Sequence, residues 1–177
     1  RVLVMAETSE FDKKMEDICL SFFVQNKTDK SDAVFEKIIK GLEKDYLNKL
    51  EQSTQCDKKC THKIRKQTSI EGMISNMSFD SSRKARAVKK IVEEKEFHFN
   101  NYITGDFYES YLKDIIETRN ILAHSYSRIN DEGTEVLVSK KDGQEIVFDE
   151  NKIKEIRQRI MLYEKMLDDL YNSIAVN

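Results

Sequence analysis

Three side chains that together can cut a phosphodiester fall within one short stretch. It reads Glu117-Thr118-Arg119-Asn120-Ile121-Leu122-Ala123-His124-Ser125-Tyr126-Ser127-Arg128. Arg119 offers a permanently charged planar fork that matches a phosphate. An imidazole such as that of His124 can take or give a proton. Asn120 can donate to a developing oxyanion or hold the imidazole in one tautomer. The set needs no metal to drive a ribose 2′-hydroxyl onto its neighbouring phosphate, a reaction open to RNA and closed to DNA. A plainer reading pairs Arg119 with Glu117 or Asp114 and leaves His124 as a cap on a helix C-terminus.

On a helix turning about 100° per residue, Asn120 and His124 lie about 40° apart, and Arg119 lies about 140° from His124 but about 20° from Tyr126. A helix running past Tyr126 would gather all four into a polar arc, and such an arc on a core helix is either satisfied by partners or functional. The string Arg119-Asn120-x-x-x-His124, with its apolar filling Ile121-Leu122-Ala123, resembles the R-x4-6-H signature of HEPN domains. The resemblance implies a helical bundle, and a homodimer whose two motifs face each other. It also implies a metal-independent endoribonuclease without cofactors, acting as a toxin or defence effector and leaving cyclic 2′,3′-phosphate ends. It places Arg119 on the scissile phosphate, His124 as general base or acid, and Asn120 as the residue that positions one of them. Tyr126 extends the likeness to the R-x4-H-x-Y form of HEPN toxins that are paired with a nucleotidyltransferase antitoxin. In those toxins this Tyr is adenylylated, and the added bulk and negative charge would keep RNA away. The present chain is longer and carries a β-hairpin, a departure that favours packing or a dimer contact for Tyr126. Other HEPN-like proteins bind without cutting, among them regulators resembling the mannitol operon repressor. A non-catalytic regulator or interaction module is therefore the alternative. A helical domain cut from a larger protein, its motif purely structural, is the third reading.

The elements that must position these residues are mostly helices. The chain has no Pro and only five Gly in 177 residues, so little interrupts a helix. Apolar residues recur at helical spacing over about 7–26 (Phe11, Met15, Ile18, Cys19, Phe22), with Ser9 and Asp12 as an acidic capping box. A second helix covers about 31–51, and Gly41 within it suggests a close approach. A short helix over about 69–77 and a basic one over 83–97 follow, the latter capped around Asp80-Ser81-Ser82. His98, between Phe97 and Phe99, reads as a packed residue at that helix's end. The motif helix spans about 107–125. Two β-branched runs flank Asp142-Gly143, which predicts a hairpin over 134–148. The last helix covers about 150–174, with Ile153, Ile156, Ile160, Tyr163, Leu167, Leu170 and Ile174 forming a narrow seam for a partner helix, within the bundle or across a dimer. The fold class expected is thus all-α, a bundle of five to six helices with one β-hairpin before the last helix, as a single HEPN-like domain over 1–177.

Charge sharpens the choice of partner. The net charge is −2, yet residues 58–90 alone carry +8, leaving −10 for the rest. Lys63, Arg65, Lys66, Arg83, Lys84, Arg86, Lys89 and Lys90 in this block are candidate RNA contacts, and a solvated or ion-paired helix face is the plainer account. Cys56-x3-Cys60-x-His62 carries zinc-ligand types, but its spacing is irregular and no fourth ligand is evident, so no metal is expected. Three Cys, an odd count, exclude a fully paired disulfide scaffold and favour a reducing cytoplasm. No apolar run reaches the roughly 20 residues of a membrane span, and Val2-Leu3-Val4 is too short for a signal-peptide core. The chain starts at Arg1 rather than Met, as expected of a fragment or a processed product.

Overall fold

A computed structural model describes residues 2–52, 70–75, 80–99 and 106–175. The candidates Lys63, Arg65 and Lys66, and the Cys56, Cys60 and His62 group, lie outside the described residues. Helix α1 (Val2–Leu20) continues into π-helical Ser21–Gln25, and α2 (Asp29–Gln52), α3 (Ile70–Ile74) and α4 (Ser81–Glu94) follow. Helix α5 is built of Phe107–Tyr111, a π-helical segment Leu112–Glu117, and Thr118–Ala123. A sheet of β1 (Tyr126–Ile129), β2 (Glu135–Lys141) and β3 (Gln144–Phe148) precedes α6 (Glu150–Ala175). The protein is mostly helical, with a three-stranded antiparallel sheet inserted before its last long helix.

Short polar side chains start the helices. Thr28 and Ser31 cap α2 reciprocally: the Thr28 N–H donates to Ser31 Oγ at 2.8 Å and the Ser31 N–H to Thr28 Oγ1 at 3.1 Å. Asp80 accepts from the Arg83 N–H at 3.0 Å, and Asp149 from the Lys152 N–H at 2.7 Å. Helix α1 begins at Val2, so Ser9 sits in mid-helix and is not the cap expected of it. Helix α4 stops at Glu94 because Glu96 turns into the left-handed region at φ 51°, which leaves His98 beyond the helix and exposed. Among the described residues, a Cβ placed on Gly41 would meet nothing within 4 Å, so none of them makes the close approach expected there.

The hairpin is as expected: Asp142 and Gly143 both adopt positive φ (51° and 78°), and Lys141 pairs with Gln144 across the turn. The third strand is new. Helix α5 ends at Ala123, and Tyr126–Ile129 pair with β2, Tyr126 opposite Val138 and Ile129 opposite Glu135. Asn130 makes the turn between these strands, its Oδ1 accepting from the N–H groups of Glu132 and Thr134, with Gly133 at φ 78°.

Contacts divide the chain into two compact units. The first comprises Arg1–Lys14 and His98–Asp169. Its core centres on an aromatic cluster in which Phe107 stacks on Tyr111 at 5.7 Å and Tyr163 meets Tyr111 edge-on at 5.6 Å. Tyr163 donates to Asp114 Oδ2 at 3.1 Å, so its buried hydroxyl is satisfied. The second unit comprises Met15–Phe97 and Leu170–Asn177, with Met15, Ile18, Cys19, Val88 and Ile91 fully buried. The α6 seam from Ile156 to Ile174 is buried within the chain, and only Ile153 is half-exposed. A partner copy therefore cannot use it. Among the described residues, no helix is long and apolar enough to cross a membrane.

Candidate functional site

The site is built on the second half of α5. Asp106 starts this helix, its carboxylate accepting from the N–H groups of Tyr108 at 2.8 Å and Glu109 at 3.2 Å. The π-helical segment Leu112–Glu117 then inserts an extra residue. On a regular helix, Tyr111 and Arg119 would sit about 80° out of line, and one inserted residue turns the later part back by about 100°. Both side chains thereby reach the same place: Tyr111 feels the charges of Arg119 and of Asp12 on α1.

Arg119 is half-buried, its Nη1 3.8 Å from Asp12 Oδ2. That is an ion pair too long for a hydrogen bond, so it holds the guanidinium without consuming its N–H groups. Neither acid expected to pair with Arg119 does so. Asp114 accepts from Arg159 Nη1 at 2.9 Å, and Glu117 pairs with Lys141 Nζ at 3.0 Å. Tyr111 is fully buried, and its hydroxyl has no hydrogen-bond partner among the described residues. Burial pushes this phenol well above its ordinary value; the Asp12 charge adds to the rise and Arg119 opposes it.

Asn120 and His124 take the opposite face. Both are exposed, and neither side chain makes a hydrogen bond or ion pair among the described residues. Residues 118–123 are regular α-helix, so the expected divergence of Arg119 from His124 by about 140° persists. The polar arc with Tyr126 does not form. His124 is the helix cap residue, and Ser125 turns inward, its N–H and Oγ both donating to the Leu122 carbonyl at 3.1 and 2.7 Å. Tyr126 starts β1 half-exposed, at 50%, so it is not a packing residue within the chain. Arg128, on the same face of that strand, is held bidentately by Glu145 at 2.7 and 3.0 Å.

The basic candidates on α4 belong to the other compact unit and are largely engaged. Lys84 Nζ donates to Glu16 Oε2 at 2.8 Å, and Lys90 Nζ to Glu93 Oε2 at 2.6 Å. Lys89 lies 3.9 Å from Glu93, Arg83 3.9 Å from Asp80, and Arg86 is exposed. The inner face of α4, Ala85, Ala87, Val88 and Ile91, is fully buried. Nearby Cys19 is also fully buried, and burial pushes its thiol up to about 12, with Lys84 opposing and Glu16 reinforcing.

A cavity of about 840 Å³ opens beside the sheet, lined by Asp131, Glu132, Glu135, Asp149 and Glu150 and by no Lys or Arg. Its carboxylates repel a phosphate polymer. Among the described residues, no group of three or more His, Cys, Asp or Glu is placed to hold a metal ion. The placement of Asp12 beside Arg119 departs from the capping role that its spacing from Ser9 predicts. The available signal was an acid directly following the buried Phe11 on the shoulder of an apolar stripe. No family model, curated protein or solved structure matches the chain.

Proposed function

We propose that the protein is a metal-independent endoribonuclease of the HEPN type, a cytoplasmic toxin or defence effector whose site is completed by a second copy of the chain. One observation carries this reading. At the end of α5 the cation is anchored and the imidazole is presented: Arg119 is half-buried beside Asp12, while His124 and Asn120 stand exposed and unengaged among the described residues. A solvent-facing imidazole without a partner among the described residues, on the same helix as a positioned guanidinium, suits catalysis once a second copy brings the two groups together.

The reaction assigns each group a task. His124 takes the proton of the ribose 2′-hydroxyl as its oxygen attacks the adjacent phosphorus. Arg119 stabilises the charge that builds on the phosphoryl oxygens. The bond to the 5′-oxygen breaks, and a protonated imidazole returns a proton to that leaving oxygen. The products are a 2′,3′-cyclic phosphate and a 5′-hydroxyl. Arg119 and His124 point apart on one helix, so two copies of α5 related by a two-fold axis surround a phosphate better than one. Tyr126, exposed two residues beyond His124, leaves its hydroxyl open to nucleotidylation by a partner enzyme. The second reading, a non-catalytic regulator, is favoured by the charge compensation of Arg119 by Asp12 and of the α4 lysines by Glu16 and Glu93. Incubating a mixed RNA pool in EDTA with wild type, Arg119→Ala and His124→Ala separates the two. Cleavage by wild type alone supports the nuclease; a verified dimer that cuts nothing supports the regulator.

A further inference from the structure

We infer that the outward face of α6 is a contact for a second copy of the chain, the two helices lying antiparallel about a two-fold axis at Met161 and Leu162. Helix α6 (Glu150–Ala175) buries one side, and on that side Tyr163 donates to Asp114 of α5. On the other side Lys154, Gln158, Met161, Leu162, Lys165 and Asp169 are all exposed. Met161 is 67% exposed and Leu162 41%, and the two stand next to each other at the middle of the helix. A surface helix keeps its large apolar side chains on the buried stripe, so an adjacent pair at the centre of the polar face calls for cover.

Charge selects the occupant. Residues 150–161 carry four Lys or Arg against two acids, +2, and residues 162–175 one Lys against three acids, −2. The sign therefore changes at the apolar pair. A parallel copy would set like against like, whereas an antiparallel copy sets each basic half on its partner's acidic half. Lys154 and Asp169 lie equally far on either side of the Met161–Leu162 peptide, and all four fall within an arc of about 100° on the helix. Neither Lys154 nor Asp169 makes a hydrogen bond or ion pair among the described residues. Between two copies, Lys154 meets the partner's Asp169, twice by symmetry, and Met161 packs on the partner's Leu162. Glu155 comes opposite the partner's Asp168, and each of these acids already has a lysine in its own chain, Lys152 at 3.9 Å and Lys14 at 2.7 Å. Because α5 lies on the buried side of α6, this contact is separate from the one that completes the proposed site, and the two together build even-numbered assemblies.

The experiment is sedimentation velocity of the full chain over a concentration series, for wild type, Leu162→Glu, Lys154→Glu, Asp169→Lys and the double variant carrying both charge reversals. All these positions are exposed, so the fold should survive, and circular dichroism with melting temperature checks that it does. Leu162→Glu is expected to halve the wild-type mass, whatever mass a contact through α5 sets. Each single charge reversal places like charges together at both symmetric positions and should weaken association at least about tenfold. The double variant restores the attraction with its signs exchanged and should return to within about threefold of wild type. A wild type that stays monomeric up to about 0.5 mM, or a mass unchanged by Leu162→Glu, overturns the inference. Single reversals that weaken association without rescue in the double variant overturn it as well, because the antiparallel register then fails. No RNA enters the experiment, so its failure leaves the nuclease reading standing, and a protein that cuts no RNA leaves the α6 contact standing.

Discussion

Helix α4 and the last turn of α5 carry the two densest groups of candidate RNA-contacting side chains, and they differ in what already occupies them. On α4, Lys84, Lys89 and Lys90 face Glu16 and Glu93 within the chain, while Ala85, Ala87, Val88 and Ile91 fill a core. At the end of α5, Asn120 and His124 face solvent with no partner among the described residues, while Arg119 on the inward face is paired with Asp12. A run of positive charge in a sequence therefore measures supply and not availability. A residue pair that the fold leaves open is the stronger sign of a site.

The largest effects should fall on α5. Arg119→Ala and His124→Ala are each expected to slow RNA cleavage by at least about 100-fold, whereas Lys89→Ala or Lys90→Ala should change it by less than about threefold. The reverse ranking in an EDTA cleavage assay would break the comparison. Stability should show the opposite pattern. Ile91→Ala on α4 removes fully buried methylenes and should cost about 2–4 kcal/mol in urea unfolding, while Asn120→Ala should stay within about 0.5 kcal/mol.

Alkaline pH offers a third contrast. Cys19 under α4, like Tyr111 and Tyr163 in the first unit, has its folded-state value raised. A raised value means the folded state holds its proton more tightly. The stability this gives is complete below the ordinary value, 9.0 for the thiol, and is lost as pH climbs from there towards about 12. The urea midpoint should thus fall between pH 8 and pH 10.5, and less steeply in Cys19→Ala; a midpoint that rises over this range would contradict the burial assigned to these groups. The smallest effect sharpens the point about availability. Glu93→Gln removes the carboxylate held by Lys90 and should steepen the log–log salt dependence of RNA binding by up to about one unit; an unchanged slope would show that α4 does not touch RNA.

Much of this was legible in the sequence, for physical reasons that also explain the exceptions. The amphipathic stripes of α1 and α6 and the Asp142-Gly143 turn depend on local spacing and local φ, and they appear where spacing puts them. The strand β1 was hidden because Tyr126-Ser127-Arg128-Ile129 is exposed at every position and so shows no burial alternation; the clue was the Asn130-to-Gly133 turn that follows it. The partner of Arg119 was hidden twice over. It comes from a distant part of the chain, and the π-helical insertion rotates α5 away from a uniform helical wheel. Within the motif the spacing does hold: Asn120 and His124 share the outward face and Arg119 turns inward.

The proposed reaction at the end of α5 is attack of the RNA's own 2′-hydroxyl on the adjacent phosphorus. Its most direct test is end-group mass analysis of an RNA oligonucleotide incubated with the protein in EDTA, beside the same oligonucleotide carrying a single 2′-deoxy substitution at the cleaved position. The account predicts 2′,3′-cyclic phosphate and 5′-hydroxyl ends from the first and no cleavage at the substituted site in the second. Cleavage that survives the 2′-deoxy substitution, or that persists in His124→Ala, would contradict it.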